Sequence, residues 1–252
     1  MFNLAALEMV RSAEIEEIIK YFRPGFRILE IGAGTGQQAR TMAQRGLTVE
    51  AIEIAPSPYS EARVFPIVDY DGRHIPYPDA SFDVVFSSNV LEHVTDPAQL
   101  SNEIQRVLKP GGFCIHLMPT HTWRLWTSAT SVLACFQYLL APSSETPRRV
   151  STPSTQTIST LKRLQRYFGR HGERGNVLSE LWLFHPKCWR KLFRTQGYDV
   201  VEDRPVGIFY TGNTFLGLNL QVKHRRILAR FLGSACHLYK VIPARQKELE
   251  SA

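Results

Sequence analysis

The 252-residue chain has only four cysteines, Cys114, Cys135, Cys188 and Cys236, and no two stand closer than 21 positions. Zinc knuckles and dithiol redox motifs need pairs about two to four residues apart, so neither is encoded. Reduced thiols in a cytoplasmic protein are the simplest reading. Long unbroken apolar runs are also missing. Leu125 to Ser144 carries no charge, but Thr127, Ser128, Thr130, Ser131 and Gln137 interrupt it. A membrane span needs about 20 mostly apolar residues. A secretory leader is not expected, because Glu8, Glu14, Glu16 and Glu17 stand among spaced apolar residues at the start. No internal repeat is visible, and glycine and proline (16 and 15) are too few for a collagenous or low-complexity chain.

What is present suits a folded domain: 44% of residues are hydrophobic and 21% charged, in a chain long enough for a sizeable core. The charge is unevenly placed. Residues 1–120 hold 10 Lys+Arg and 15 Asp+Glu, whereas residues 121–252 hold 20 and 8. The basic half suits an acidic substrate, an anionic lipid surface or nucleic acid, or it serves solubility alone.

Apolar periodicity predicts an amphipathic helix over residues 4–22, closed by Pro24-Gly25. Short apolar strands are expected at 27–31, 47–54, 65–68, 82–87 and 113–118, with helices after the first and over 97–108, and a sharp turn at Lys109-Pro110-Gly111-Gly112. Strands alternating with helices argue for an α/β, Rossmann-like, doubly wound and mostly parallel sheet. The rhythm breaks after residue 120. Residues 121–184 read as a helical insert, with a Ser/Thr/Pro-rich stretch from Pro142 to Ser159 and a basic helix from Ile158 to Arg170. Residues 185–222 supply a closing helix and two strands (198–202 and 206–210), for seven strands in all, and residues 223–252 read as a basic helical tail.

Strand one runs into Gly32-Ala33-Gly34-Thr35-Gly36. Such a loop lets a nucleotide-like ligand approach bare backbone. A dinucleotide fingerprint would put its third glycine at position 37, which is Gln37, and the acid Glu30 precedes the loop. Both features argue against NAD. Glu53, at the end of strand two, has two oxygens able to accept from a ribose diol.

Ile28-Leu29-Glu30-Ile31-Gly32-Ala33-Gly34-Thr35-Gly36 resembles the first motif of class I S-adenosylmethionine-dependent methyltransferases. Three further segments follow in that family's order: Asp71 to Asp83, Ser88-Asn89-Val90-Leu91-Glu92-His93-Val94, and Leu108-Lys109-Pro110-Gly111-Gly112-Phe113. The resemblance covers residues 26–118, with a weaker echo in 185–202, and is closest to the small-molecule, quinone and glycan-modifying branch. It implies S-adenosylmethionine as cofactor. Glu30 would hold its ammonium, and Gly32, Gly34 and Gly36 would cradle it. Glu53 would take the ribose, Ile54 the adenine face, and Asp71 with the Gly72 N–H the adenine edge. Asn89 and Leu91 would flank the sulfonium.

A general base helps when the methyl acceptor is a hydroxyl. His93 is the first candidate, His121 the second and His185 the third. No metal is expected: Glu92-His93 offers a single carboxylate, Asn89 supplies none, and a hard cation wants several oxygens.

The expected activity is methyl transfer, at oxygen, to a small-molecule, glycan or lipid-linked acceptor. The insert 121–184 would cover the acceptor, and with the basic tail it could meet an anionic membrane surface, placing the protein in the cytoplasm or peripherally on a membrane. The basic groups concerned are Arg148, Arg149, Lys162, Arg163, Arg166, Arg170 and Arg174, then Lys223, Arg225, Arg226 and Arg230. A nucleic-acid partner is not expected, since no RNA-binding module is recognisable. The rival readings are a methyltransferase-like binding protein without chemistry and an NAD-dependent oxidoreductase.

Overall fold

Sequence periodicity and turn chemistry translate into strands and helices that close one sheet. The computed structural model describes residues 4–140, 169–212 and 217–244. The Ser/Thr/Pro-rich stretch, nearly all of the basic helix expected over 158–170, and Arg148, Arg149, Lys162, Arg163 and Arg166 lie outside the described residues.

The elements are α1 (Leu4–Ile18), β1 (Arg27–Ile31), α2 (Gln37–Ala43), β2 (Thr48–Ile54), β3 (Val68–Tyr70), β4 (Phe82–Ser88), α3 (Pro97–Val107), β5 (Leu108–Pro119), α4 (His121–Leu140), α5 (Val177–Leu183), α6 (Pro186–Thr195), β6 (Tyr198–Pro205), α7 (Val222–Leu232) and β7 (Cys236–Pro243). The seven strands lie in the order β3-β2-β1-β4-β5-β7-β6. The first five pair in parallel, and β7 runs antiparallel between β5 and β6. This is the expected α/β, mostly parallel, Rossmann-like sheet.

Burial on both faces explains the sequence of the central strands. Val84, Val85 and Phe86 of β4 and Ile28 and Leu29 of β1 are fully buried, so these strands read as continuous apolar runs rather than alternating ones. Strand order reverses between β1 and β4. The crevice beyond their carboxyl ends is where open α/β sheets bind ligands.

Three elements differ from the sequence expectation. Strand β3 is Val68–Tyr70, not 65–68; Phe65 and Ile67 pack instead against Ala33, Ala39 and Ala51 beside the glycine loop. The turn at Lys109–Gly112 is a bulge inside β5, where Phe82 pairs with Leu108 and Val84 with Phe113. The closing strand expected at 198–202 is present as β6, but its partner is β7, not 206–210. The expected basic tail over 223–252 therefore divides into α7 and a central strand, with residues beyond 244 outside those described.

Leu238 is fully buried on β7, opposite Leu117 of β5. Leu238→Ala should cost about 2–5 kcal/mol, because it leaves a cavity between two paired strands. Urea unfolding followed by circular dichroism measures this. A loss below about 0.5 kcal/mol, the usual size for surface changes, would contradict the central place of β7.

Candidate active site

At the switch point, the glycine loop leaves β1 and turns back under β2. Gly32 and Ala33 donate N–H bonds to the Ile52 carbonyl at 2.9 and 3.1 Å. Gly32 has φ +70, and a Cβ there would lie 2.4 Å from Val90 Cγ2, so only glycine fits. The Gly34 N–H donates to Glu53 Oε2 at 2.6 Å, which ties the loop to the end of β2. Glu53 Oε1 accepts from the Ile54 N–H at 3.2 Å. A carboxylate has about four acceptor positions, so both oxygens retain capacity for a diol.

Glu30 lies beneath this loop, 2% exposed. Its Oε2 has no hydrogen-bond partner among the described residues. Burial pushes its carboxyl up to about 8, against partial offsets from the Ala39 backbone N–H and the Arg11 charge. A buried carboxylate oxygen without a donor costs free energy that a ligand ammonium would recover. That orphaned oxygen, with the bare backbone above it, fits the amino-acid end of an S-adenosyl ligand.

Two hollows flank the loop. One, of about 160 Å³, is walled by Gly32 to Thr35, Gln37, Gln38, Leu7, Glu8, Arg11, Tyr59, Ser88 and Asn89. The other, of about 360 Å³, includes Ile54, Tyr70, Gly72, Val90, His93 and Asp96. Ile54 is 48% exposed there, an uncovered apolar face suited to an aromatic ring. Of the residues singled out in the sequence, Gly32, Gly34 and Asn89 meet in the first hollow, and Ile54, Gly72 and His93 in the second.

Others stand differently. Gly36 is off the wall; it ends the loop at φ +78, where a Cβ would meet Phe65 at 2.7 Å. Asp71 stands beside Gly72, but its Oδ1 accepts from the Arg73 and His74 N–H groups at 2.8 Å and so braces its own turn. Leu91 turns away and packs with the core near His116 and Phe193. Val90 takes the wall position instead, because residues 91–93 form a tight 3₁₀ turn.

A third cavity, of about 350 Å³, opens beside the first hollow and includes Ala6, Leu7, Val10, Arg11, Tyr59, Asn89, His93, Trp123, Arg124, Thr127, His171, Tyr210 and Arg225 in its wall. Leu7, Arg11, Tyr59 and Asn89 belong to both walls. Arg11 was not anticipated from the sequence. Its Nη1 donates to Glu14 Oε2 at 2.6 Å and to Ser88 Oγ at 3.0 Å. With the Asn89 amide oxygen turned toward it, Asn89 accepts from Nη1 and Nη2 at 2.6 and 3.0 Å. The one sequence signal was an Arg–Glu pair three apart in a helix that is otherwise apolar on that face.

His93 lines the cavity, as expected of a residue at the mouth of β4. Burial lowers its pKa, partly offset by Glu92. His121 is not on the cavity wall; it lies against His185 with ring centroids 4.8 Å apart, and burial lowers its pKa. His185 caps α6, its Nδ1 accepting from the Lys187 N–H at 3.2 Å. Neither reaches the site, because the N-terminus of α4 turns His121 toward α6. Helix α4 contributes Trp123, Arg124 and Thr127 to the cavity. No helix among the described residues is long and apolar enough to cross a membrane.

Part of the chain is similar to known proteins. Residues 29–116 match the model of a methyltransferase domain. An uncharacterized methyltransferase of Mycobacterium sp. (strain JLS) is 40% identical over 100 residues, covering 36% of this chain and 38% of that protein. The malonyl-[acyl-carrier protein] O-methyltransferase of Serratia marcescens is 38% identical over 94 residues, covering 35% of this chain and 36% of that protein. These matches thus span well under half of the relatives' length. A crystal structure of an S-adenosylmethionine-dependent methyltransferase from Mesorhizobium loti superposes with a TM-score of 0.52 at 18% identity, over 91% of this chain and 97% of that one. At that identity the likeness is one of fold.

The state of Glu30 has a measurable consequence. Its folded pKa lies above the ordinary value of 4.5, at about 8. Between those values the folded chain keeps a proton that the unfolded chain has released. Stability therefore falls as pH rises through this window, by up to about 1.4 kcal/mol per pH unit. Glu30→Gln should flatten this slope. Urea midpoints at pH 5 and pH 8 compare the two proteins, and equal slopes would refute a neutral buried Glu30.

Proposed function

We propose that this chain, which belongs to the class I S-adenosylmethionine-dependent methyltransferases, moves a methyl group to an oxygen of a small-molecule, glycan or lipid-linked acceptor. The observation that carries this reading is the shared wall. Leu7, Arg11, Tyr59 and Asn89 border both the glycine-loop hollow and the neighbouring cavity. A donor over the loop and an acceptor in the cavity would meet at that wall.

S-adenosylmethionine, when bound, supplies a methyl group already activated on a sulfonium. The chain's residues have the remaining tasks of gripping, aligning and excluding water, and alignment alone is worth several powers of ten in rate. Glu30 would hold the ammonium, Gly32 and Gly34 admit the ligand to the backbone, and Glu53 would accept from the ribose hydroxyls. Ile54 and Val90 would enclose the adenine, with Gly72 offering its N–H. Trp123 and Thr127 of α4, with Tyr210, would close over the acceptor. A cavity of about 350 Å³ is the size of a small-molecule site. Oxygen as the accepting atom is supported by the Serratia marcescens relative, whose name is that of an O-methyltransferase.

S-adenosylhomocysteine at about one hundred times its dissociation constant should raise the melting temperature by about 5–10 °C. Gly32→Ala, whose added Cβ would strike Val90, and Glu53→Ala should each remove that shift. Incubation with radiolabelled methyl donor and fractionated cell extract should then label a compound of low mass or a lipid. A parent protein whose melting point ignores the ligand would refute the reading.

A further inference from the structure

Glu92 is buried beside the acceptor cavity, its side chain fully covered, and neither of its carboxylate oxygens has a hydrogen-bond partner among the described residues. What faces it is a pair of imidazoles. His93 Nε2 lies 3.8 Å and His171 Nε2 3.7 Å from Glu92 Oε1. Both distances are too long for hydrogen bonds. The two imidazole rings sit with centroids 4.8 Å apart, and the three potential ligand atoms all lie within 4.8 Å of one another.

We propose that Glu92, His93 and His171 form a binding site for a borderline divalent transition ion of the zinc or ferrous type. Two imidazoles and one carboxylate are a recurrent donor set for such ions, and three protein ligands leave a coordination position open. Imidazole nitrogens are poor ligands for magnesium or calcium, which select oxygen. Bonds of about 2.0–2.1 Å put tetrahedral ligand atoms about 3.3–3.5 Å apart. The two spacings to Glu92 then need to close by only a few tenths of an ångström. The imidazoles, 42% and 34% exposed, have room to turn, while the carboxylate is fixed.

The third ligand is absent from the Leu91-Glu92-His93 motif, and the fold brings it in. His171 arrives from the far end of the insert on a short loop that is braced at both sides. The His171 and Gly172 N–H groups donate to Glu180 Oε1 at 2.6 and 2.8 Å. The Glu173 N–H donates to the Glu92 carbonyl at 2.9 Å. A Cβ at residue 172 would lie 2.9 Å from that same carbonyl oxygen, so glycine is what permits the approach. Glu180 is in turn ion-paired with Arg124 at 2.8 Å, both buried. Outer partners of this kind hold metal-binding histidines in place. Both imidazoles line the 350 Å³ cavity, so the open position faces the acceptor. On the methyl-transfer reading, the ion would hold and acidify an acceptor hydroxyl, and His93 is then a ligand rather than a free base.

The test uses the full chain, stripped with a chelator and dialysed. Titration with Zn²⁺ in a calorimeter should give one site per chain, and Co²⁺ should give visible absorption bands of a low-coordinate nitrogen/oxygen site. His171→Ala, His93→Ala and Glu92→Gln should each weaken binding more than about 100-fold. His171→Ala should keep the parent's circular dichroism and its melting shift with S-adenosylhomocysteine. His93→Ala, at a half-exposed position, is the second probe if loss of His171 unfolds the loop. No uptake of either ion by the stripped parent, or undiminished uptake by both histidine variants, would overturn the site. The donor-induced melting shift is read separately, so its failure would count against methyl transfer and leave the metal result standing.

Discussion

A single partly buried guanidinium holds the two halves of the site in register. Arg11 reaches from α1 to Glu14 on its own helix, to Ser88 at the end of β4 and to Asn89 beyond it. Tyr210 donates to Glu14 Oε1 at 2.9 Å and lies 3.0 Å from Cys236 Sγ at the start of β7. Burial alone would depress the Arg11 pKa, but Glu14 at contact distance more than offsets it. A charge pair taken out of water is tolerated when its remaining donors and acceptors are also met, as they are here. One network thus fixes the N-terminal helix against the sheet's switch point, and Arg11 and Asn89 stand in the wall shared by the glycine-loop hollow and the neighbouring cavity.

The uneven charge of the sequence has a spatial counterpart around that wall. Around the glycine loop stand acids from the N-terminal half: Glu30 under the loop, Glu53 above it and Asp71 at the outer turn. The cavity side gathers Arg11, Arg124 and Arg225. Arg225 is 2% exposed and is held by the carbonyl oxygens of Leu220, Phe209 and Gly217 at 2.8, 3.2 and 2.6 Å. Carbonyl dipoles stabilise a guanidinium without cancelling its charge. Arg11 and Arg124, by contrast, are each met by a carboxylate, Glu14 at 2.6 Å and Glu180 at 2.8 Å, so the three guanidiniums on this cavity are stabilised in two different ways.

How far the sequence could be read followed how local each feature is. The glycine loop was legible because its geometry depends on adjacent residues: Gly32 must be glycine whatever the rest of the chain does. Strands β1, β2 and β4 were legible because burial on both faces writes itself as an apolar run. The last strand was not. Val206, Ile208 and Tyr210 are buried in alternation and imitate a strand, yet they hold to the sheet by isolated bonds such as Val206 N–H to the Cys236 carbonyl. The true partner, β7, has His237 and Lys240 among its residues and follows a basic helix, so composition disguised it. Leu91 was misplaced by one position, because a 3₁₀ turn after Asn89 exchanges its facing with that of Val90.

The 350 Å³ cavity was illegible for a different reason. Its wall takes one to four residues from each of several segments: α1, Tyr59, the exit of β4, α4, the loop around His171, residues 210–212 and Arg225. No segment gives enough of them to form a pattern, and their chemistry exists only once they converge. The Glu92 cluster is the sharpest instance. Read along the chain, Glu92-His93 is a half-set of ligands, short of a second carboxylate. Read in space, the missing donor is an imidazole, delivered from across the insert by a glycine that lets two backbones touch. A motif can therefore mark one wall of a cavity, while the residues that complete it are contributed by the part of the chain outside the motif.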